Sequence, residues 1–456
     1  MATTTPFGRQ MRDEHFAFAK SYTPLNHGSY GAFPLAVRSY QRAIQEQTES
    51  RSDRFIRFTA RSLLLESRSA VASLLNVPRQ TVVFVPNATT GINTVLRNLT
   101  WNEGDVIVYF STAYAACEKT VLHVCETTAA SSVRIDVSFP SEDDDLVRLF
   151  RDTVQGINLQ RDKRVRVAMF DTLCTFPGVR LPWEALVSAC KPLGVLSLVD
   201  GAHGIGHLDL SRLGQPDSDP DFFTTNCYKW LFTPRGCAVL YVSRRHHHLI
   251  RTTFPTSHGF TPLEDAHGLT SNSSDDDDDY LGDLFAWAAT VDMSAYLCVP
   301  EAIKFRSHTC GGEAALRDYC FGLAREGGKR MAGIFGTEVL DNQTCTLSQC
   351  CFTMVRLPLS FAVEPDDRTG SGSVTGTRTP TECSPPIFPP ERGPALAKAI
   401  MDKLMTDHDT WIPAMFYGGA IWVRVSAQIY LEMADFDWAA EVLAALCKEI
   451  SDTGAG

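Results

Sequence analysis

The chain is short of several things, and each shortage excludes a class of protein. It has no long apolar run. Its hydrophobic stretches are brief and broken by charge, so no membrane-spanning helix of about 20 residues is expected. It opens Met1-Ala-Thr-Thr-Thr-Pro-Phe-Gly8, with no basic segment leading into an apolar one. No secretory leader is expected, and the location is read as cytoplasmic. Basic residues are outnumbered, 42 Lys and Arg against 53 Asp and Glu, for a formal net charge of −11. Phosphate backbones select basic faces, so nucleic acid is not expected as a partner. The 14 cysteines are scattered without paired CxxC spacing. That argues against a zinc ribbon and leaves most of them as buried thiols. The run His246-His247-His248 is expected to be a solvated turn, and no metal site is expected.

What is present is ordinary in bulk and specific in detail. The 456 residues, 44% hydrophobic and 21% charged, suffice for a large domain and a smaller one. The stretch around which the rest is organised is Thr225-Asn-Cys-Tyr-Lys229-Trp-Leu-Phe-Thr-Pro-Arg-Gly236. A lysine between Tyr228 and Trp230 can be partly desolvated, which lowers its pKa and frees a neutral amine. Upstream, the apolar run Leu196-Ser-Leu-Val199 delivers Asp200 to its end, followed by Gly-Ala-His203-Gly. An acid at a strand end with a lysine beyond it is what pyridoxal 5′-phosphate chemistry needs. The amine forms the Schiff base, and the carboxylate keeps the ring nitrogen protonated so that the ring accepts electrons.

Earlier in the chain, Val82-Val-Phe-Val85 reads as a short buried strand. It runs into Asn87-Ala88-Thr89-Thr90-Gly91, then into a helical pattern at Ile92, Val95, Leu96 and Leu99. Strand, small polar turn and helix start make a phosphate cradle, and the same residues would also make a plain N-cap. Ala88, Thr89 and Thr90 are the candidate phosphate ligands. Further apolar runs end at Phe110, just before Tyr114, and at Phe170, just before Asp171. From Leu35 to Asn76 the pattern is mostly helical. Ser271–Asp279 is a self-repelling acidic loop.

These pieces, in this order, resemble the class V aminotransferase family of fold-type I pyridoxal phosphate enzymes. Leu25-Asn-His-Gly-Ser-Tyr-Gly31 near the start and Trp422-Val-Arg424-Val-Ser426 near the end carry the same pattern. The resemblance is to the branch holding isopenicillin N epimerase-like proteins, the fungal loline-alkaloid enzyme and the ergothioneine-pathway C–S lyase. It implies an α/β fold with a mainly parallel seven-stranded sheet between helices and a smaller α+β C-terminal domain. The division expected is an arm at 1–24, a large cofactor-binding domain at 25–292 and a small domain at 293–456. A disordered insertion is expected at 363–394.

The resemblance also implies roles. Asn26 and His27 would lie near the substrate at the cavity mouth. Tyr114 would stack on the cofactor ring and could pass a proton to a leaving group. Thr172, with Thr175 beside it, would donate to the ring oxygen, as would His203. Asn226 would contact phosphate, and Tyr228 stands where many relatives have His. Arg424 would clamp the substrate α-carboxylate. Thr290 would reach the phosphate held by a neighbouring subunit, implying a homodimer. Cys174 is read as a space-filler, because the motif around the desulfurase nucleophile is not found.

The expected course is that a small amino-acid substrate displaces Lys229, and the freed amine removes the Cα proton. The leading outcome is a reaction of fungal specialised, alkaloid-type metabolism. Elimination of a sulfur group, as by hercynylcysteine sulfoxide lyase or a desulfurase-like enzyme, is the alternative. Epimerisation at Cα remains open. A non-catalytic interaction module would be expected to have lost Lys229 or Asp200, and both are present.

Overall fold

The computed structural model describes residues 4–262, 264, 279–362 and 387–453. Its centre is a sheet of seven strands: β1 Val82–Val85, β2 Asp105–Phe110, β3 Ser131–Ile135, β4 Arg164–Asp171, β5 Leu196–Asp200, β6 Phe222–Asn226 and β7 Ala238–Val242. The spatial order is β1-β7-β6-β5-β4-β2-β3. β7 runs antiparallel to β1 and β6, and the other pairs are parallel. The central strands are buried along most of their length because helices cover both faces of the sheet. The period of two is visible across it. Val106, Val108, Phe110, Ala168, Phe170 and Val199 enter one core, and Ile107, Tyr109, Val167, Met169 and Leu198 enter the other.

This topology puts the carboxyl ends of β1, β2, β4, β5 and β6 on one edge, where parallel sheets hold their ligands. Asp171 and Asp200 face each other in register there, and Asp200 is in register with Thr224.

A second, antiparallel sheet is built from β8 Phe352–Arg356, β11 Ala414–Tyr417 and β12 Ala420–Ser426, in the order β11-β12-β8. The helices Glu313–Phe335, Gly393–His408 and Met433–Thr453 pack around it. β12 carries Arg424, opposite Met354. The N-terminal segment lies on this unit, with Gly8 N–H donating to Ile429 at 2.7 Å and Arg12 pairing with Asp435 at 2.6 Å. The helices Ser294–Leu297 and Val299–His308 pack instead on Leu35–Ser50 and Ala60–Leu75, although they follow residue 293.

Several local expectations change. The helical stretch 35–76 is broken at Arg51, where φ is −156°. A three-residue helix and a π-turn, Phe55–Thr59, connect its two halves. Of the expected insertion at 363–394, residues 363–386 lie outside the described residues. Residues 387–394 are ordered: β10 Ile387–Phe388 pairs in parallel with β9 Ser360–Phe361, and a helix starts at Gly393. Burial of Phe388 against Phe361 holds this end down. Of the acidic loop, 271–278 lie outside the described residues. Asp279 receives both terminal nitrogens of buried Arg68 at 2.7 Å and so neutralises a guanidinium. His246 is likewise engaged rather than solvated, 2.6 Å from Asp221.

Candidate active site

At the carboxyl edge of the large sheet lies a cavity of about 680 Å³. It is walled by the turns after β1, β4 and β5, the lysine turn after β6, and β12 of the small sheet. Lys229 sits on a single helical turn, Cys227–Trp230, that directly follows β6. Its amine is pulled from 10.5 to about 8, chiefly by burial, and the Arg424 charge adds to this. The Asp200 carboxylate acts the other way. Burial wins, so near neutral pH a useful fraction of this lysine is a free amine.

The turn is kept in place by its neighbours. His27 Nε2 lies 2.5 Å from the Lys229 carbonyl, and His27 Nδ1 lies 2.7 Å from the Tyr430 hydroxyl. A carbonyl can only accept, so the His27 proton is on Nε2 and Tyr430 donates to Nδ1. Burial drives the His27 pKa to about 3, which keeps the ring neutral. Gly31 lies against the same turn with φ of 65°, and a Cβ on it would stand 1.9 Å from the Tyr228 carbonyl oxygen. Only glycine permits that approach.

Asp200 ends β5. Its carboxylate accepts the Ala202 N–H at 3.0 Å and the Cys117 thiol at 3.3 Å. Asp171, at the end of β4, is buried beside it, and its Oδ2 has no partner among the described residues. Burial and the Asp200 charge push the Asp171 carboxyl well above the usual range. Burial raises the Asp200 carboxyl as well, opposed by its two donors, while the Asp200 charge pushes Asp171 further up against its own backbone N–H and Thr112, so of this pair Asp171 keeps the proton.

The helix Ala88–Asn98 points its N-terminus at the cavity. Asn87 caps it, accepting from Thr90 N–H at 2.8 Å, and Asn226 Oδ1 accepts the Ala88 N–H at 2.8 Å. The Thr89 N–H has neither of these partners. Ala88, Thr89, Thr90 and Asn226 all line the cavity, as do Tyr114, Tyr228, Thr175 and His203. Tyr114 is 47% exposed at the start of the next helix, and burial pushes the Tyr228 phenol up to about 12.

Arg424 closes the far side. It is 1% exposed, and among the described residues no carboxylate pairs with it. Its Nη1 donates to the Thr175 carbonyl at 2.5 Å, and its Nη2 donates to Asn26 Oδ1 at 3.1 Å and Ser29 Oγ at 3.0 Å. Its Nε has no partner among the described residues, and the guanidinium lies 4.6 Å above the Phe352 ring. Burial lowers its pKa only to about 10, so it remains a cation at neutral pH. Its stem passes Gly178, where a Cβ would come within 2.6 Å.

Some expected site residues stand elsewhere. His27 is beneath the lysine turn rather than in the cavity. Thr172 is fully buried behind the wall, its hydroxyl without a partner among the described residues; the neighbouring Thr175 is the one at the cavity. Asn26 meets the cavity through Arg424. Thr290 is on the surface, away from the cavity of its own chain. Cys174 is buried, and burial raises its thiol well above the ordinary value. Residues the sequence did not single out include Ser29, Cys117 and Asp171. Asp171 had a signal of its own, an acid ending an apolar strand in the same manner as Asp200.

The cavity fits pyridoxal phosphate on its own chemistry. A desolvated amine, a buried carboxylate and a capped helix N-terminus line one cavity, and a guanidinium that no carboxylate pairs with among the described residues faces them. The comparisons agree. The aminotransferase class-V family model matches residues 37–267. L-cysteine desulfhydrase-like protein lolT1 of Epichloe uncinata is 36% identical, over 98% of this chain and 97% of its own. Hercynylcysteine sulfoxide lyase of Schizosaccharomyces pombe is 28% identical, over 98% of this chain and 100% of its own. Among solved structures, the cystine C–S lyase C-DES in complex with its product cysteine persulfide superposes with a TM-score of 0.69 at 18% identity, covering 93% of this chain and 97% of that one. The chain therefore belongs to the class V aminotransferase family and is a pyridoxal phosphate-dependent enzyme of the lyase or transferase kind.

Proposed function

We propose that this enzyme removes the Cα proton of a small α-amino acid in fungal specialised, alkaloid-type metabolism. The observation that carries the chemical part is the pairing across one cavity of a free-amine Lys229 with a buried Arg424 that lacks an anion. When bound, pyridoxal phosphate supplies an electron sink conjugated to the substrate Cα. The chain's own residues do the rest. Arg424 takes the substrate carboxylate and sets which bond at Cα faces Lys229. Lys229 takes the Cα proton as a neutral amine. Asp200, anionic and braced by Ala202 N–H and Cys117, holds the proton at the ring nitrogen. Thr89 and Thr90 receive the phosphate at the helix N-terminus. The metabolic setting rests on the resemblance to the loline-alkaloid enzyme, with which the 36% identity to lolT1 is consistent.

Cleavage of a C–S bond is the second reading. It is favoured by the names of the two relatives, a desulfhydrase-like protein and a sulfoxide lyase. No cysteine lines the cavity among the described residues; Cys383 lies outside them. To separate the readings, purified holoenzyme would be mixed with hercynylcysteine sulfoxide while the cofactor spectrum and released pyruvate are followed, with Lys229→Ala as control. The expected result is a Lys229-dependent spectral change without pyruvate. Pyruvate from the wild type alone would replace the alkaloid-type reading by the lyase.

The homodimer, in which Thr290 would complete the phosphate site of the partner, rests on the family resemblance; Thr290 is exposed on its own chain. Light scattering of the holoenzyme is expected to give twice the chain mass, and a monomer would remove this role.

A further inference from the structure

We propose that Trp230 is a positioning residue that locks His203 in the tautomer with its proton on Nε2, so that His203 always presents a donor toward the Lys229 amine and the cofactor atoms held there. The argument is one of donors and acceptors. Trp230 Nε1 lies 3.3 Å from His203 Nδ1. An indole N–H can only donate, so Nδ1 must carry a lone pair. His203 is buried. Burial holds its pKa well below the ordinary value, and the charges of Lys229 and Arg424 add to this, while the neighbouring His27 and His207 rings are themselves kept neutral by burial. A neutral imidazole has one proton, which is then on Nε2. That nitrogen lies 3.3 Å from Lys229 Nζ. Two donors cannot share one line of contact, so this contact is a hydrogen bond in the fraction of Lys229 that is neutral, whose amine offers its lone pair.

The geometry holds the arrangement firmly. The Trp230 carbonyl accepts Arg306 Nη1 at 2.7 Å, and the indole packs against His207 at 4.2 Å between ring centroids. His203 meets the edge of Phe352 at 5.2 Å. The two residues flanking the amine thus do different work: Tyr228 faces the cavity, and Trp230 faces away and acts through His203. With Trp230 silent, a neutral His203 could place its proton on either nitrogen. It would then offer a lone pair toward Lys229 in part of the population, favouring the ammonium form and withdrawing the donor from any anionic oxygen of the cofactor.

The inference rests on Lys229 holding pyridoxal phosphate and not on the proposed reaction. It is tested by nitrogen NMR of the full-length holoenzyme carrying ¹⁵N-labelled histidine, with the His203 signals assigned by their loss in His203→Gln. The expected wild-type pattern is a neutral ring with protonated Nε2 and bare Nδ1. In Trp230→Phe that pattern is expected to be lost in favour of an averaged or Nδ1–H pattern. A wild-type ring protonated on Nδ1, or an unchanged pattern in a folded Trp230→Phe protein, overturns the proposal. If Trp230→Phe does not fold, benzothienylalanine at position 230 replaces the N–H by sulfur at the same shape, and the same two outcomes decide.

Discussion

Lys229→Ala is expected to lose turnover by roughly 10³-fold or more, the range in which a positioned proton-transfer group contributes. The effect is larger than for any other single change at the site, because two functions leave together. One is the amine that holds the cofactor covalently, and the other is the base at Cα. Borohydride treatment followed by mass spectrometry checks the first. The wild type should be fixed at the mass of protein plus cofactor, and the variant should not. A wild-type-like adduct in Lys229→Ala would show that another amine does the work.

The lowered pKa adds a pH dependence whose sign is definite. The neutral amine is the reactive form, and its fraction rises with pH until the pKa is passed. Lys229 sits at about 8, so the rate at which cofactor-stripped protein recaptures pyridoxal phosphate should rise up to about pH 8 and then level off. A lysine with its ordinary value would be under about 1% neutral at that pH, and its rate would keep rising toward about 10.4. A capture rate still climbing above pH 9 would contradict the desolvated-lysine reading.

Arg424→Leu is expected to lower kcat/KM by about two orders of magnitude or more, most of it in KM. Removing one partner of a buried charge pair costs about 2–5 kcal/mol, and each 1.4 kcal/mol is about tenfold. The opposing effect is that wild-type Arg424 is a buried cation without an anion, which is itself unfavourable. Its three hydrogen bonds to Thr175, Asn26 and Ser29, and the Phe352 face below it, offset that burial. The substrate carboxylate is left as the missing partner. Arg424→Lys keeps the charge but loses the planar fork, so it should recover little. An amine substrate lacking a carboxylate should bind the wild type and Arg424→Leu alike. A variant whose KM is unchanged, with the cofactor spectrum retained, would remove Arg424 from substrate binding.

The sequence made some parts of this site legible and left others hidden for identifiable reasons. Asp200 and Lys229 are each announced locally, one by the apolar run before it and the other by its flanking aromatics. The strands that frame the cavity could be read because buried parallel strands are continuous apolar runs. The expected ring-oxygen donor at Thr172 shows the opposite case. Residues 172 and 175 are both threonines on one loop, and only the path of that loop around Gly178 and Arg424 sets Thr175 at the cavity and buries Thr172. His27 is similar. Its place in the motif suggested the substrate, whereas its two nitrogens are used by the Lys229 carbonyl and Tyr430.

Taken alone, the order of residues determined the chemistry available: an amine, a strand-end acid, an anion-binding turn and a guanidinium, in the sequence that a pyridoxal phosphate enzyme requires. It also determined the two-part α/β architecture, because apolar periodicity and turn residues are local properties of the chain. Tertiary structure alone decided how these groups are tuned. The Asp171–Asp200 pair exists through the β4–β5 register, and the Arg424 cradle joins residues nearly 400 positions apart, Asn26 and Ser29 among them. The His203 tautomer depends on an indole N–H placed to within hydrogen-bond distance. Protonation and hydrogen bonding change over an ångström, a scale on which the spacing of residues along the chain carries no information.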